Sequence, residues 1–147
     1  DQTVNLKVQA ALRNGLTPIV CVGEGTEVRN AGDHVAFTLN QLKAALSGVA
    51  AGDVANLVIA YEPVWAIGTG EVATPANAQE VCGAIRNQIR EVFGSAADQV
   101  RVLYGGSMKA DNVAALMKEP DIDGGLVGGA SLDPDEFVSV CRYRLHP

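Results

Sequence analysis

Apolar positions along the chain switch regularly between two periods. Val4, Val8, Ala11 and Leu12 recur at helical spacing over residues 4–14, and Gly15 follows where a left-handed C-cap would sit. Pro18-Ile19-Val20-Cys21-Val22 is then a continuous apolar run, as expected of a strand buried on both faces. Helical spacing returns through Val35, Leu39, Leu42 and Leu46, predicting a helix over residues 31–47 that closes at Gly48. Residues 57–61 read as a second buried strand. Thr74 and Pro75 open a helix with a cap hydroxyl and a proline at its first position, and it runs through Val81, Ile85, Ile89 and Val92 to Gly94. Residues 100–104 form a third strand, 113–118 a short helix stopped by Pro120, and Gly125-Leu126-Val127 a brief fourth strand. Asp133 and Glu136 begin the last helix as a capping box.

The order is one helix followed by four βα units. Short apolar strands joined by helices of this length are parallel strands with helical crossovers, so the fold class is α/β. At 147 residues the chain makes one domain, or part of one, and buries a core without staples. Its 48% apolar and 19% charged residues exclude disorder. A net charge of −6 argues against nucleic acid or an anionic membrane as partner. No apolar run approaches a spanning helix, and Asp1-Gln2-Thr3 has neither the basic start nor the apolar stretch of a signal peptide. Cys21, Cys82 and Cys141 are odd in number and far apart. Buried, reduced thiols in a cytoplasmic protein are expected, with no structural metal.

The chemistry concentrates where strands end. Val22-Gly23-Glu24-Gly25, Glu62-Pro63, Tyr104-Gly105-Gly106-Ser107 and Val127-Gly128-Gly129-Ala130-Ser131 each follow a strand directly. Parallel α/β folds bind ligands at the carboxyl ends of their strands, so these stretches converge on one face. Glycine there makes a tight turn, or lets backbone N–H groups close on an anion. Two double-glycine turns after adjacent strands favour the phosphate cradle.

Glu62 follows five apolar residues and precedes Pro63, which places a partly desolvated carboxylate at a strand end. Such a group serves either as a general base or as a cap or arginine partner. Residues 63–70 carry apolar side chains between small or rigid ends. They fit a lid hinged at Pro63-Val64-Trp65 and near Gly70, with Ile67 covering a ligand; an ordinary apolar rim loop has the same composition.

Ala60-Tyr61-Glu62-Pro63-Val64-Trp65-Ala66-Ile67-Gly68-Thr69-Gly70 closely resembles the catalytic glutamate and flexible lid of the triosephosphate isomerase family. Tyr104-Gly105-Gly106-Ser107 and Leu126-Val127-Gly128-Gly129-Ala130-Ser131 resemble that family's two phosphate-gripping loops, and residues 18–24 its fifth strand. The resemblance runs through the whole chain in order. It implies a (β/α)8 barrel, of which residues 1–147 would be the C-terminal half, strands five to eight, preceded by one helix of the N-terminal half. It also implies an isomerase of glycolysis and gluconeogenesis that uses no cofactor and no metal.

By that resemblance, Glu62 carries a proton between two carbons of dihydroxyacetone phosphate or glyceraldehyde 3-phosphate through an enediolate. Gly68, Ser107, Gly128 and Gly129 offer backbone N–H groups to the substrate phosphate. Ile67 and Leu126 press on the carboxylate when the lid closes. Tyr104 and Ser107 hold the closed lid at Ala73 and Gly70, and Glu24 and Tyr61 are alternate partners of the Trp65 indole. Glu71 and Met108 depart from the family pattern at positions away from the chemistry.

A barrel of this kind has eight βα units and about 250 residues. The family's lysine after the first strand and histidine after the fourth would lie before Asp1. His34 and His146 are poorly placed to replace the latter, and only Lys109 among the lysines lies near the active face. Without that electrophile the enediolate loses about 10²–10³ in rate per missing donor. The implied partners are therefore the triose phosphate and the missing N-terminal half, with a homodimer in the complete enzyme. Edge-to-edge pairing of two copies into a pseudo-barrel is a further arrangement. Other phosphosugar barrels, an epimerase or an indole-forming synthase, share the glycine turns but not the Glu-Pro-Val-Trp lid. A non-catalytic phosphate-binding half-barrel or scaffold shares the turns and assigns no role to Glu62. A dinucleotide fold fails for want of a GxGxxG after the first strand.

Overall fold

A computed structural model describes residues 1–69 and 71–145 of the chain. In order, the elements are α1 (Gln2–Arg13), β1 (Ile19–Val22), α2 (Thr26–Ala31), α3 (His34–Ala45), α4 (Ala51–Val54), β2 (Val58–Tyr61), α5 (Pro75–Phe93), β3 (Arg101–Tyr104), α6 (Val113–Leu116), β4 (Gly124–Gly125) and α7 (Pro134–Cys141). Turns of 3₁₀ helix follow β2 at Val64–Ala66 and precede α7 at Gly129–Leu132. The strands form one parallel sheet in the order β1-β2-β3-β4. The alternation of α and β in the sequence is thus realised as right-order parallel neighbours.

Strand alternation sorts the sheet residues into two layers. Val20, Val22, Ile59, Tyr61, Val102 and Tyr104 face one way and are buried with Leu42 and Ala45 of α3 and Val81, Ile85 and Ile89 of α5. The opposite face carries Ile19, which is 50% exposed, together with exposed Cys21 and Arg101. This corrects the expectation that β1 is buried on both faces. An unbroken apolar run cannot distinguish two covered faces from one. The same correction applies to the thiols: Cys82 is buried, but Cys21 and Cys141 are exposed, and all three are free.

Three further departures are local. The helix expected over 31–47 is two helices, because Gly32 takes the left-handed conformation (φ 80°) and ends α2 before Asp33 starts α3. The fourth strand pairs through Gly124–Gly125, one residue earlier than Gly125-Leu126-Val127; the ladder is extended at its two ends by the Asp123 N–H to the Val102 carbonyl and the Leu126 N–H to the Tyr104 carbonyl, both at 2.9 Å. At α7, Asp133 does cap the N–H groups of Asp135 and Glu136, but the Glu136 carboxylate accepts from the Ala110 N–H instead of returning to Asp133. The α5 start is as expected in its Thr74 cap and in Pro75 at the first position; the structure adds the return bond from Asn77, which makes the cap a reciprocal capping box.

Candidate active site

Glu62 is the first residue beyond β2, and two hydrogen bonds align it: its own N–H donates to the Val22 carbonyl, and the Gly105 N–H donates to the Tyr61 carbonyl, both at 2.8 Å. The side chain falls on the uncovered face of the sheet, the face of Cys21. There it leans on the backbone of the neighbouring turn. A Cβ on Gly105 would collide with Oε1, and one on Gly23 would collide with the Glu62 carbonyl oxygen. Both neighbours are therefore glycine for want of space. Burial pushes the Glu62 carboxyl above its ordinary value. The Cys21 thiol is raised as well, first by burial and then by the charge of Glu62.

Next to this carboxylate lies a cavity of about 820 Å³. Gly68, Ser107, Gly128 and Gly129, from three different loops, all line it, as do Ile67 and Lys109. Among the described residues, no hydrogen bond within the protein engages the backbone N–H of Ser107, Gly128 or Gly129. Unpaired amides beside Lys109 make a lining suited to an anion. Glu62 meets this cavity through Gly105, which forms part of its wall.

Behind Glu62 a second cluster holds the Val64–Ala66 turn. The Glu24 carboxylate is completely buried and accepts at Oε1 from the Trp65 indole N–H (2.8 Å) and the Tyr61 hydroxyl (3.0 Å). Thr38 Oγ1 donates to Oε2 at 3.5 Å. Of the two expected partners of the indole, Glu24 takes its N–H here, and the Tyr61 hydroxyl donates beside it to the same oxygen. The Tyr61 hydroxyl is made much harder to ionise, mostly by burial and then by the Glu24 charge.

The remaining predicted residues are less engaged. The Tyr104 hydroxyl is buried beside Gly106 and has no hydrogen-bond partner, so the bond to Ala73 is not formed. Burial, followed by the neighbouring Cys82 and Glu62, pushes its pKa up to about 12. Leu126 is half-buried at the end of β4. Gly70, the expected second hinge, and His146 lie outside the described residues. Of the four lysines only Lys109 reaches the cavity, and His34, at the start of α3, is bound to Glu80 at 3.0 Å.

Sequence reasoning missed two participants. Glu136 ties α7 to the loop after β3 through the Ala110 N–H, and Arg29 stacks on the Trp65 ring at 5.1 Å. Both are pairings between distant segments, which no local pattern announces.

The chain matches the family model described as triosephosphate isomerase over residues 1–144. It is 57% identical to the triosephosphate isomerase of Streptomyces coelicolor over 145 residues, covering 98% of this chain and 56% of that protein. The enzyme of Streptomyces avermitilis is 58% identical over 145 residues, with the same coverage. That of Nocardia farcinica is 60% identical over 141 residues, covering 95% of this chain and 54% of that protein. The chain thus spans about half the length of the curated relatives it matches.

Proposed function

The chain belongs to the triosephosphate isomerase family, and from that premise we propose that it supplies the base, the lid and the phosphate cradle of an aldose–ketose isomerase acting on triose phosphates. The observation that carries this reading is the contact of Glu62 with Gly105, which sets a raised-pKa carboxylate on the rim of a cavity of unpaired amides. The phosphate of the substrate sits on the N–H groups of Gly68, Ser107, Gly128 and Gly129. Glu62 removes the proton from the carbon that carries the hydroxyl next to the carbonyl, leaving an enediolate, and returns it to the neighbouring carbon. The hydroxyl proton passes from one substrate oxygen to the other in the same interconversion; substrate and product are isomers, so no oxidant or reductant is called for. Ile67 and Leu126 dry the carboxylate as the lid closes.

This chain acts as the C-terminal half of the barrel and needs the other half to turn over. Its motifs follow one another as in the later strands of the family, and one face of its sheet stands uncovered. Among the described residues no imidazole and no lysine other than Lys109 reaches the cavity, so the developing oxyanion lacks its electrophile. A homodimer and a cytoplasmic location belong to the same reading; among the described residues no helix is long and apolar enough to cross a membrane.

The test combines this chain with the complementary half of a relative's barrel and measures isomerase activity. Activity should appear at a fixed stoichiometry, and Glu62→Gln should lower it by about 10²–10⁴-fold while glycerol 3-phosphate binding is kept. A non-catalytic phosphate-binding half-barrel or scaffold predicts binding alone, with no effect of Glu62. Native-like turnover by the chain without its complement would contradict the half-barrel part of the reading.

A further inference from the structure

Trp65 opens the lid, and its indole is held from two sides. On one side its N–H donates to Glu24. On the other, the Arg29 guanidinium lies over the ring, 5.1 Å from its centroid. Arg29 comes from α2, three residues past its start, and its side chain is only 16% exposed. Its Nη1 is sealed from solvent without a hydrogen-bond partner, 3.8 Å from Glu24 Oε1 and 4.0 Å from Glu80 Oε2. The cation is therefore kept in place by two carboxylates and an aromatic face, not by directed hydrogen bonds. Any swing of the Val64–Ala66 turn that moves the indole strips Arg29 of its ring and Glu24 of its shortest donor together.

From this arrangement we infer that Arg29 is a positioning residue that clamps the first hinge of the lid, holding Trp65 against Glu24 and so limiting how readily residues 63–67 move. The catalytic consequence rests on the lid reading above; the clamp itself does not. Arg29 is not among the residues that line the cavity and acts through Trp65 and the Glu24 carboxylate that holds it. A contact of this kind biases a two-position equilibrium by about two- to fivefold.

Trp65 is the single tryptophan of the chain, so its fluorescence reports the hinge alone. Acrylamide quenching is measured on the chain itself and on Arg29→Met and Arg29→Lys, together with amide exchange at Ala66 and Ile67, whose N–H groups close the turn onto Pro63 and Val64. Arg29→Met should raise the quenching constant about two- to fivefold and speed exchange at Ala66 and Ile67, with α5 unchanged. Arg29→Lys, which keeps the charge but loses the flat stack, should fall between. If α5 also exchanges faster in Arg29→Met, that variant is globally loosened and the quenching of Arg29→Lys decides. Equal quenching in the wild type and the deciding variant overturns the inference. Neither readout depends on turnover, so a failed isomerase assay leaves the clamp standing, and unchanged fluorescence in a working isomerase removes the clamp alone.

Discussion

The Glu62 carboxylate rests on the α-carbon of Gly105: a Cβ there would overlap Oε1, with Cδ at 2.5 Å and Oε2 at 3.1 Å. The side chain of one strand end is thus seated by the missing side chain of the next. Gly105→Ala must push the carboxylate aside. Displacement of a base by about 1 Å costs about 10²-fold in turnover, while the free end of the Glu62 side chain gives way for only about 0.5–1.5 kcal/mol of stability. Steady-state kinetics of the reconstituted barrel and urea denaturation of the chain measure the two. Gly23→Ala collides with the Glu62 carbonyl instead, which cannot rotate away, so its stability loss should reach about 3 kcal/mol.

The raised Glu62 carboxyl has a second, pH-dependent signature. Burial disfavours its charged form, so the folded chain holds the proton more tightly than the unfolded chain. The stability linked to this group is complete below its ordinary value of 4.5 and is lost as the pH rises through the folded value above it. Glu62→Gln removes the charge and keeps the shape. Its melting temperature should exceed that of the parent at pH 7, and the gap should close below pH 4.5. Thermal melts across that range, followed by circular dichroism, check the sign.

Arg86 ties α5 to the approach to β4. It donates to Asp121 at 2.9 Å, to Asp123 at 2.6 Å and to the carbonyls of Ala97 and Val100. Asp123 also accepts from the Val102 N–H, so this one cation organises both sides of β3. Arg86→Met leaves two carboxylates unpaired. As both aspartates retain some solvent, the loss should be about 2–4 kcal/mol, read as a lower urea midpoint with unchanged slope.

Thr74 caps α5. Thr74→Val deletes the hydroxyl that accepts the Asn77 N–H and should cost about 1 kcal/mol. Calorimetry of the two chains gives the difference directly.

These sites were legible in the sequence to different depths. Glu62 and the paired glycines stood out because a carboxylate or a glycine pair after an apolar run has few neighbours to explain it, and strand ends of a parallel sheet share one face. The α5 cap was legible because Thr74 and Pro75 are adjacent and act locally. Ile19 and Cys21 misled because apolar character records what a face suits, not whether something covers it. The α2 break was hidden because Gly32 interrupts a pattern whose period resumes almost in phase. Glu136 satisfied the local capping rule on paper, yet a partner 26 residues away, the Ala110 N–H, took its carboxylate. Arg29 carried no signal at all, since its ring lies across the sheet end in Trp65.

Deuterium transfer tests the role of Glu62 most directly. With the barrel completed by its other half and the reaction run in deuterium oxide, the triose phosphate should gain deuterium at the carbon that exchanges its proton. Glu62→Gln should slow that incorporation by about 10²–10⁴-fold while glycerol 3-phosphate still binds. Incorporation at the same rate in both proteins would contradict Glu62 as the base.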